Sequence, residues 1–200
     1  MTLASTRYVT FEEYLTDPNI DPHSEWVDGT VSLMHAVADR HDEYTGWLHE
    51  LLRPYLRRMK LGRLLSEPFV MKLTDPPVGR SPDLMFVAAA HLDRIRRNHL
   101  AGPADLVIEV ISPATRVQDC VHKLAEYERG GVPEYWLIDP EDGAAEFHRR
   151  GDDRRLHVIS PEAGIYRTPP FPQAFFHTDW LAQRPLPDPS EIWRQWGLRF

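Results

Sequence analysis

The chain predicts an α/β domain in which helices flank a sheet, and three stretches predict it. Residues 84–90 and 106–111 are short apolar runs bounded by turn signals, the pattern of buried strands. Between residues 39 and 61, Tyr44, Trp47, Leu48, Leu51, Leu52, Tyr55, Leu56 and Met59 recur at helical spacing. That stripe reads as a face packed on the core.

In chain order, Thr10-Phe11-Glu12-Glu13 carries a capping-box pattern and opens a short helix to about residue 15, ended by Asp17-Pro18. Residues 25–33 read as a hairpin around Asp28-Gly29, a favoured two-residue turn. Pro54 lies inside the long helix and predicts a kink or a split, because proline lacks the N–H that an interior turn needs; Gly62 is the stop. Residues 63–73 read as extended pieces broken near Pro68, and 74–79, with Pro76-Pro77, as a turn delivering the chain to Asp83. A short helix is expected over 90–97, with Gly102-Pro103 closing the loop beyond it.

Alternation along the second apolar run places Asp105, Val107, Glu109 and Ile111 on one face, and Leu106, Ile108 and Val110 on the other. Ser112-Pro113 stops that strand. Thr115 with Gln118 then reads as a capping box for a helix reaching Gly130-Gly131, on which Asp119, Lys123 and Tyr127 share a stripe. Residues 134–138 predict a strand ended by Asp139-Pro140, and 144–149 with 155–159 a hairpin around Gly151-Asp152-Asp153. From Pro161 onward the chain is rich in proline and aromatics, with a short helix at 190–196. The domain is placed at residues 1–160, and residues 161–200 form an extension packing on the domain or on a dimer partner.

Two apolar runs each carry one carboxylate, Asp83 at the entrance of the first and Glu109 inside the second. An ionised carboxylate in a buried strand is costly unless a cation faces it. Two such groups on neighbouring strands suit a hard divalent metal ion. Lys123, one helix away, completes a phosphodiester-cleaving set: its ammonium orients an attacking water or neutralises charge on the phosphate. Each residue also has a plainer reading. Lys123 alone is a surface lysine, Asp119 a first-turn partner of the helix dipole, Asp105 a solvated strand end, and His41 a solvated first-turn histidine.

At these residues the chain resembles the Uma-two family of restriction endonucleases, a branch of the PD-(D/E)XK nuclease superfamily. The resemblance rests on Pro82-Asp83, the segment from Asp105 to Pro113 with Glu109, the Asp119/Lys123/Tyr127 helix and Gly131-Val132-Pro133-Glu134-Tyr135-Trp136. Upstream, Glu25-Trp26-Val27-Asp28-Gly29 resembles the family's acidic hairpin, and His41 the histidine opening its long helix. Together these cover about residues 8 to 160. The resemblance implies a restriction-endonuclease-like fold, with a mixed, curved central sheet flanked by helices, and Mg²⁺- or Mn²⁺-dependent hydrolysis of nucleic acid, DNA in the first place. It implies Asp83, Glu109 and Glu25 as metal ligands, with Asp83, Glu109 and Lys123 catalytic. The superfamily's E-x-K lysine would fall at Ile111, and the resemblance nominates Lys123 in its stead.

Composition bounds the alternatives. The chain has 200 residues, 42% hydrophobic and 26% charged, and one cysteine, Cys120, which rules out an intramolecular disulfide and suits a reducing compartment. No signal-peptide-like or membrane-spanning apolar run is read, so the expectation is a cytoplasmic protein without a membrane partner. The net charge of −7 runs against the basic footprint of nucleic-acid binders. Carboxylates gathered on a metal account for part of it, and arginines cluster at residues 53–63, 94–97 and 149–155, where solvated faces also explain them. Cutting both strands of a duplex requires two sites related by a two-fold axis, and the aromatic tail offers apolar surface, so a homodimer with Trp180, Trp193 or Trp196 near its interface is expected. Two other classes remain: a non-catalytic nucleic-acid-binding or scaffold protein that retains the fold, and a metal-dependent enzyme acting on something other than long nucleic acid.

Overall fold

A computed structural model describes residues 7–34, 39–111, 116 and 118–199, leaving out the side chains of residues 118 and 119. It opens with α1 (Phe11–Thr16), whose capping box is complete: Thr10 Oγ1 accepts from Glu13 N–H, and Glu13 Oε2 accepts from Thr10 N–H at 2.8 Å. The strands β1 (Ser24–Val27) and β2 (Thr30–Leu33) pair with Val27 opposite Thr30. Their two-residue turn needs positive φ at both positions, which Asp28 (42°) and Gly29 (83°) supply.

The long helix α2 spans Asp39–Met59 with Pro54 inside it, so it is not split in two. The proline removes the donor that the Glu50 carbonyl would receive, and Glu50 lies on the exposed face, where the cost of that loss is small because the carbonyl is open to solvent. After α2 come β3 (Gly62–Ser66), β4 (Val70–Thr74), β5 (Pro77–Arg80) and β6 (Leu84–Ala88). The sequence predicts a turn through residues 74–79, yet 77–80 are a strand. The turn closes at Asp75-Pro76, and β5 then pairs with both β4 and β1. The expected helix after β6 is a 3₁₀ segment, Ala89–Arg94. It leads to β7 (His99–Ala101) and β8 (Leu106–Val110). The proposed cap at Thr115 lies outside the described residues. A π-helical turn, Gln118–Lys123, runs into α3 (Leu124–Gly130), which Gly131 ends at a φ of 87°. The remaining elements are β9 (Glu134–Asp139), β10 (Ala144–Arg150), β11 (Leu156–Val158), β12 (Ile165–Tyr166), β13 (Phe176–His177) and α4 (Pro189–Gln195).

Two mixed sheets result. One has the order β11-β10-β9-β8-β6-β3, with β8 and β9 parallel; the other has the order β2-β1-β5-β4-β7, with β4 and β7 parallel. The pleat of the six-stranded sheet sorts its side chains as alternation requires. Leu84, Phe86, Leu106, Ile108, Val110, Trp136 and Ile138 face α2 and the tail, while Met85, Val87, Val107, Ile111, Tyr135 and Leu137 face the five-stranded sheet and α3.

The tail lies over α2 and the far end of the sheet. Tyr44 OH donates to Leu181 O at 2.5 Å, Trp47 Nε1 to Pro187 O at 2.7 Å, and Tyr55 OH to Pro172 O. In return Trp193 Nε1 donates to Leu51 O at 3.0 Å. Aromatic groups with a polar tip suit this seam, since body and tip are both satisfied. Trp180 and Trp196 are buried within the chain, so they are not available as the apolar contact expected between protomers. Beneath the tail, Glu134 accepts from Trp136 Nε1 (2.8 Å), Tyr166 OH (2.6 Å) and Thr168 Oγ1 (2.7 Å). No helix among the described residues is long and apolar enough to cross a membrane.

Candidate active site

The chain passes from one sheet to the other between β5 and β6, and the sequence-nominated residues gather at that crossing. Leu84 pairs with Ile108, a register that sets Asp83 opposite Glu109, and Asp83 Oδ2 accepts the Val110 N–H at 2.6 Å. Both carboxylates are buried. Glu109 emerges on the face that the alternation predicts, and that face is covered by α3. Lys123 Nζ stands 3.0 Å from Glu109 Oε1, and Tyr127 OH donates to the same oxygen at 2.7 Å. The stripe expected on this helix therefore brings Lys123 and Tyr127 to Glu109; the Asp119 side chain lies outside the described residues.

β1 contributes Glu25, because Trp26 pairs with Gly79 and so sets its neighbour beside Arg80. Glu25 Oε2 accepts from Arg80 at 2.5 Å, and Glu25 Oε1 lies 3.6 Å from Lys123 Nζ. Burial pushes the Glu25 carboxyl upward, but the charges of Lys123 and Arg80 outweigh it and hold the group below the ordinary carboxylate value. α2 contributes His41, whose Nε2 is 3.0 Å from Asp83 Oδ1; this histidine is largely buried, not a solvated first-turn residue. Asp105 is elsewhere. It accepts from Ala88 N–H at 2.7 Å and meets His91 Nδ1 at 2.7 Å, tying the far end of β6 to the 3₁₀ segment.

Four participants, Arg80, Glu126, Glu67 and Ser81, are not nominated by the sequence patterns. Arg80, buried at 3% exposure, also grips Glu126 with two bonds of 2.7 Å each. A signal for it exists: in a strand, Arg80 shares a face with buried Val78, and a buried guanidinium demands carboxylates. Burial opposes its charge, yet the Glu126 hydrogen bonds and the Glu25 charge raise its pKa further above the usual arginine value. Glu67, half-buried in the turn after β3, has its carboxyl raised by burial and then by the Asp83 charge. Ser81 Oγ is buried with no hydrogen-bond partner among the described residues.

The electrostatics follow from these contacts. Among the described residues, Glu25, Asp83, Glu109 and Glu126 face the permanent cations Arg80 and Lys123, a formal surplus of two negative charges within this set when His41 is neutral. Buried surplus charge favours capture of a further cation. Among the described residues, no three His, Cys, Asp or Glu side chains converge as a ready-made metal cage. The donors present are a pair of hard oxygens on adjacent strands. That set fits Mg²⁺, which is commonly held by one or two carboxylates with water and phosphate oxygens completing the shell.

Comparison with known proteins bears on this arrangement. The fold matches a crystal structure described as "a putative nuclease belonging to DUF820" from Anabaena variabilis ATCC 29413, with a TM-score of 0.71 and 18% sequence identity, over 86% of this chain and 97% of that one. No functionally curated protein matches the chain. The Uma2 family, described as "Putative restriction endonuclease", matches residues 11–182, which span the seam between the sheets, the helix carrying Lys123 and most of the tail. The chain belongs to the Uma2 family.

Proposed function

We propose that this protein is a metal-dependent nuclease that hydrolyses nucleic-acid phosphodiester bonds at the Asp83/Glu109 pair. The observation that carries the reading is the meeting of Lys123 with Glu109 beside Asp83, where buried negative charge exceeds positive. Asp83 and Glu109 would hold Mg²⁺ or Mn²⁺, with Glu25 as a third carboxylate. The ion would polarise the phosphate and lower the pKa of a bound water.

Every other role belongs to the chain. The Val110 N–H fixes the Asp83 carboxylate, and the Tyr127 hydroxyl fixes that of Glu109. Lys123 gives its ammonium to the attacking water or to the phosphate oxygens as their charge grows. Arg80 holds Glu25, and the charges of Lys123 and Arg80 together keep it ionised. His41 neighbours Asp83, where it would contact the phosphate or the metal ion. DNA is the proposed substrate, and cutting both strands would pair two sites in a homodimer, checked by light scattering at about tens of micromolar.

A second reading has its own support: with Lys123 on Glu109, the site is already partly neutralised, as a non-catalytic nucleic-acid-binding relative would need. One experiment separates the two. Calorimetric titration with Mn²⁺ and cleavage of single- and double-stranded DNA are measured for the parent, Asp83→Asn and Glu109→Gln. The parent should bind Mn²⁺ and cut, while each variant loses both. Variants that bind Mn²⁺ with the parent's affinity would show that the site lies elsewhere, and a parent that binds DNA without cutting would favour the second reading.

A further inference from the structure

A cluster of positive charge in this acidic chain lies away from the Asp83/Glu109 site, where the C-terminal half of α2 meets β3. Arg53, Arg57 and Arg63 surround a recess of about 290 Å³ whose remaining walls are Leu56, Gly62 and Leu64. No carboxylate lines it. The three guanidinium groups have no hydrogen-bond or ion-pair partner among the described residues, unlike the arginines that are tied to acids elsewhere in the fold. Arg53 and Arg57 stand one helical turn apart on α2, and Arg63 faces them from the strand. Arg58 and Lys60 add charge just beyond.

A solvated basic face is the plainer explanation, and charged residues on an edge strand also discourage edge-to-edge pairing. β3 is indeed the last strand of its sheet. Edge protection, however, needs charge along the strand. Here two of the three arginines come from a helix and converge with the third on one concavity, its floor formed by apolar side chains. That is the geometry of an anion site, since guanidinium groups offer forked donors that match phosphate oxygens.

Position connects this recess to the candidate active site. Arg63 pairs with Val87, at the end of β6 remote from Asp83, whereas Ser66 pairs with Leu84 beside it. His41 and Arg53 share α2, about 18 Å apart at 1.5 Å per residue. Along a nucleic-acid strand that separation corresponds to roughly five nucleotides. We propose that the Arg53/Arg57/Arg63 recess is a phosphate-backbone anchor for nucleic acid, gripping the strand a few nucleotides away from the Asp83/Glu109 site. The inference rests on the nucleic-acid reading given above. It also accounts for how a chain of net charge −7 would hold a polyanion: through one local anchor in place of a broad basic face.

The test is fluorescence anisotropy of a labelled DNA duplex of about 30 base pairs, in Ca²⁺, over a series of salt concentrations. The full chain is compared with Arg53→Gln/Arg57→Gln/Arg63→Gln and with a control of smaller charge loss at the distant hairpin, Arg154→Gln/Arg155→Gln. The anchor predicts that the triple variant binds about tenfold or more weaker at about 0.1 M salt, with its log–log salt slope reduced by roughly 2 to 3, while the control keeps the parent's slope. Should the triple variant melt early, Arg57→Gln at an exposed helix position gives the same reading as a slope change of about 0.9. A parent that binds the duplex and variants that match its affinity and slope overturn the anchor, as does a parent that binds no nucleic acid. Cleavage by the parent is measured separately. A parent that cuts DNA, with variants that bind unchanged, removes the anchor and leaves the nuclease reading standing; a parent that never cuts, but loses binding in the triple variant, does the reverse.

Discussion

Lys123 Nζ and Tyr127 OH meet the same oxygen, Oε1 of Glu109, at 3.0 and 2.7 Å. One helix thus brings a charge and a neutral donor to a single carboxylate of the neighbouring sheet. If Lys123 serves the transition state in preference to metal binding, Lys123→Ala should keep Mn²⁺ affinity near the parent's, or raise it slightly, while turnover falls about a hundredfold or more. Calorimetry and single-turnover cleavage measure the two separately. Full turnover in the variant would remove Lys123 from the mechanism.

Tyr127→Phe removes only the hydroxyl. The ring keeps its edge-on contact with Tyr135, at 5.0 Å between centroids. A hydrogen bond to a charged group contributes about 1.5–3 kcal/mol, so urea unfolding should show a loss in that range. A loss well below it would mean that Glu109 is oriented without the hydroxyl.

Arg80→Met should be among the most destabilising single changes in the chain. It leaves Glu25 and Glu126 without their shared cation in a buried setting, a loss of about 3–5 kcal/mol by analogy with broken buried pairs. Arg80→Lys should rescue little, because an ammonium cannot reproduce the forked grip on Glu126. Denaturant midpoints that match the parent's for both variants would contradict this.

The tail's attachment should be alkali-sensitive. Burial, opposed by a hydrogen bond from the Ala174 backbone, pushes the Tyr55 hydroxyl from 10.0 up to about 12. A raised value means that the folded chain keeps this proton when the unfolded chain has released it. The associated stability is complete below about pH 10 and is lost as pH rises toward 12. Tyr55→Phe should therefore lessen the fall of melting temperature across that interval. An unchanged slope would assign alkaline sensitivity to other tyrosines.

Much of this arrangement is legible in the sequence because it is written in local patterns. Thr10 and Glu13 announce a cap, Asp28-Gly29 a tight turn, and alternation through residues 105–111 gives the face of Glu109. Asp83, Glu109 and Lys123 are nominated by residue pattern and resemblance, Glu25 by resemblance alone, and the structure brings them to one seam. The missing parts depend on partners distant in sequence. Arg80 follows a stretch where Pro76-Pro77 dominates the local signal; it becomes strand by pairing with Met71 of β4, while the rest of β5 also pairs with the distant β1. Glu126 resembles any helix-surface glutamate until Arg80 arrives. The π-helical turn that precedes α3 has no propensity signature, and the aromatics of α2 predict a buried face without revealing that the tail covers it.

The seam between α2 and the tail bears on how this protein can be shortened. A chain cut after Ile159 would retain Glu25, Asp83, Glu109 and Lys123, and on paper the whole chemistry. It would also strip the cover from Tyr44, Trp47 and Tyr55, and leave the Glu134 carboxylate without Tyr166 and Thr168. The exposed surface would be aromatic and contiguous, the kind that drives chains together in solution. A minimal catalytic fragment drawn from the motif positions alone would thus be expected to precipitate, for want of about forty residues that contain none of the motifs.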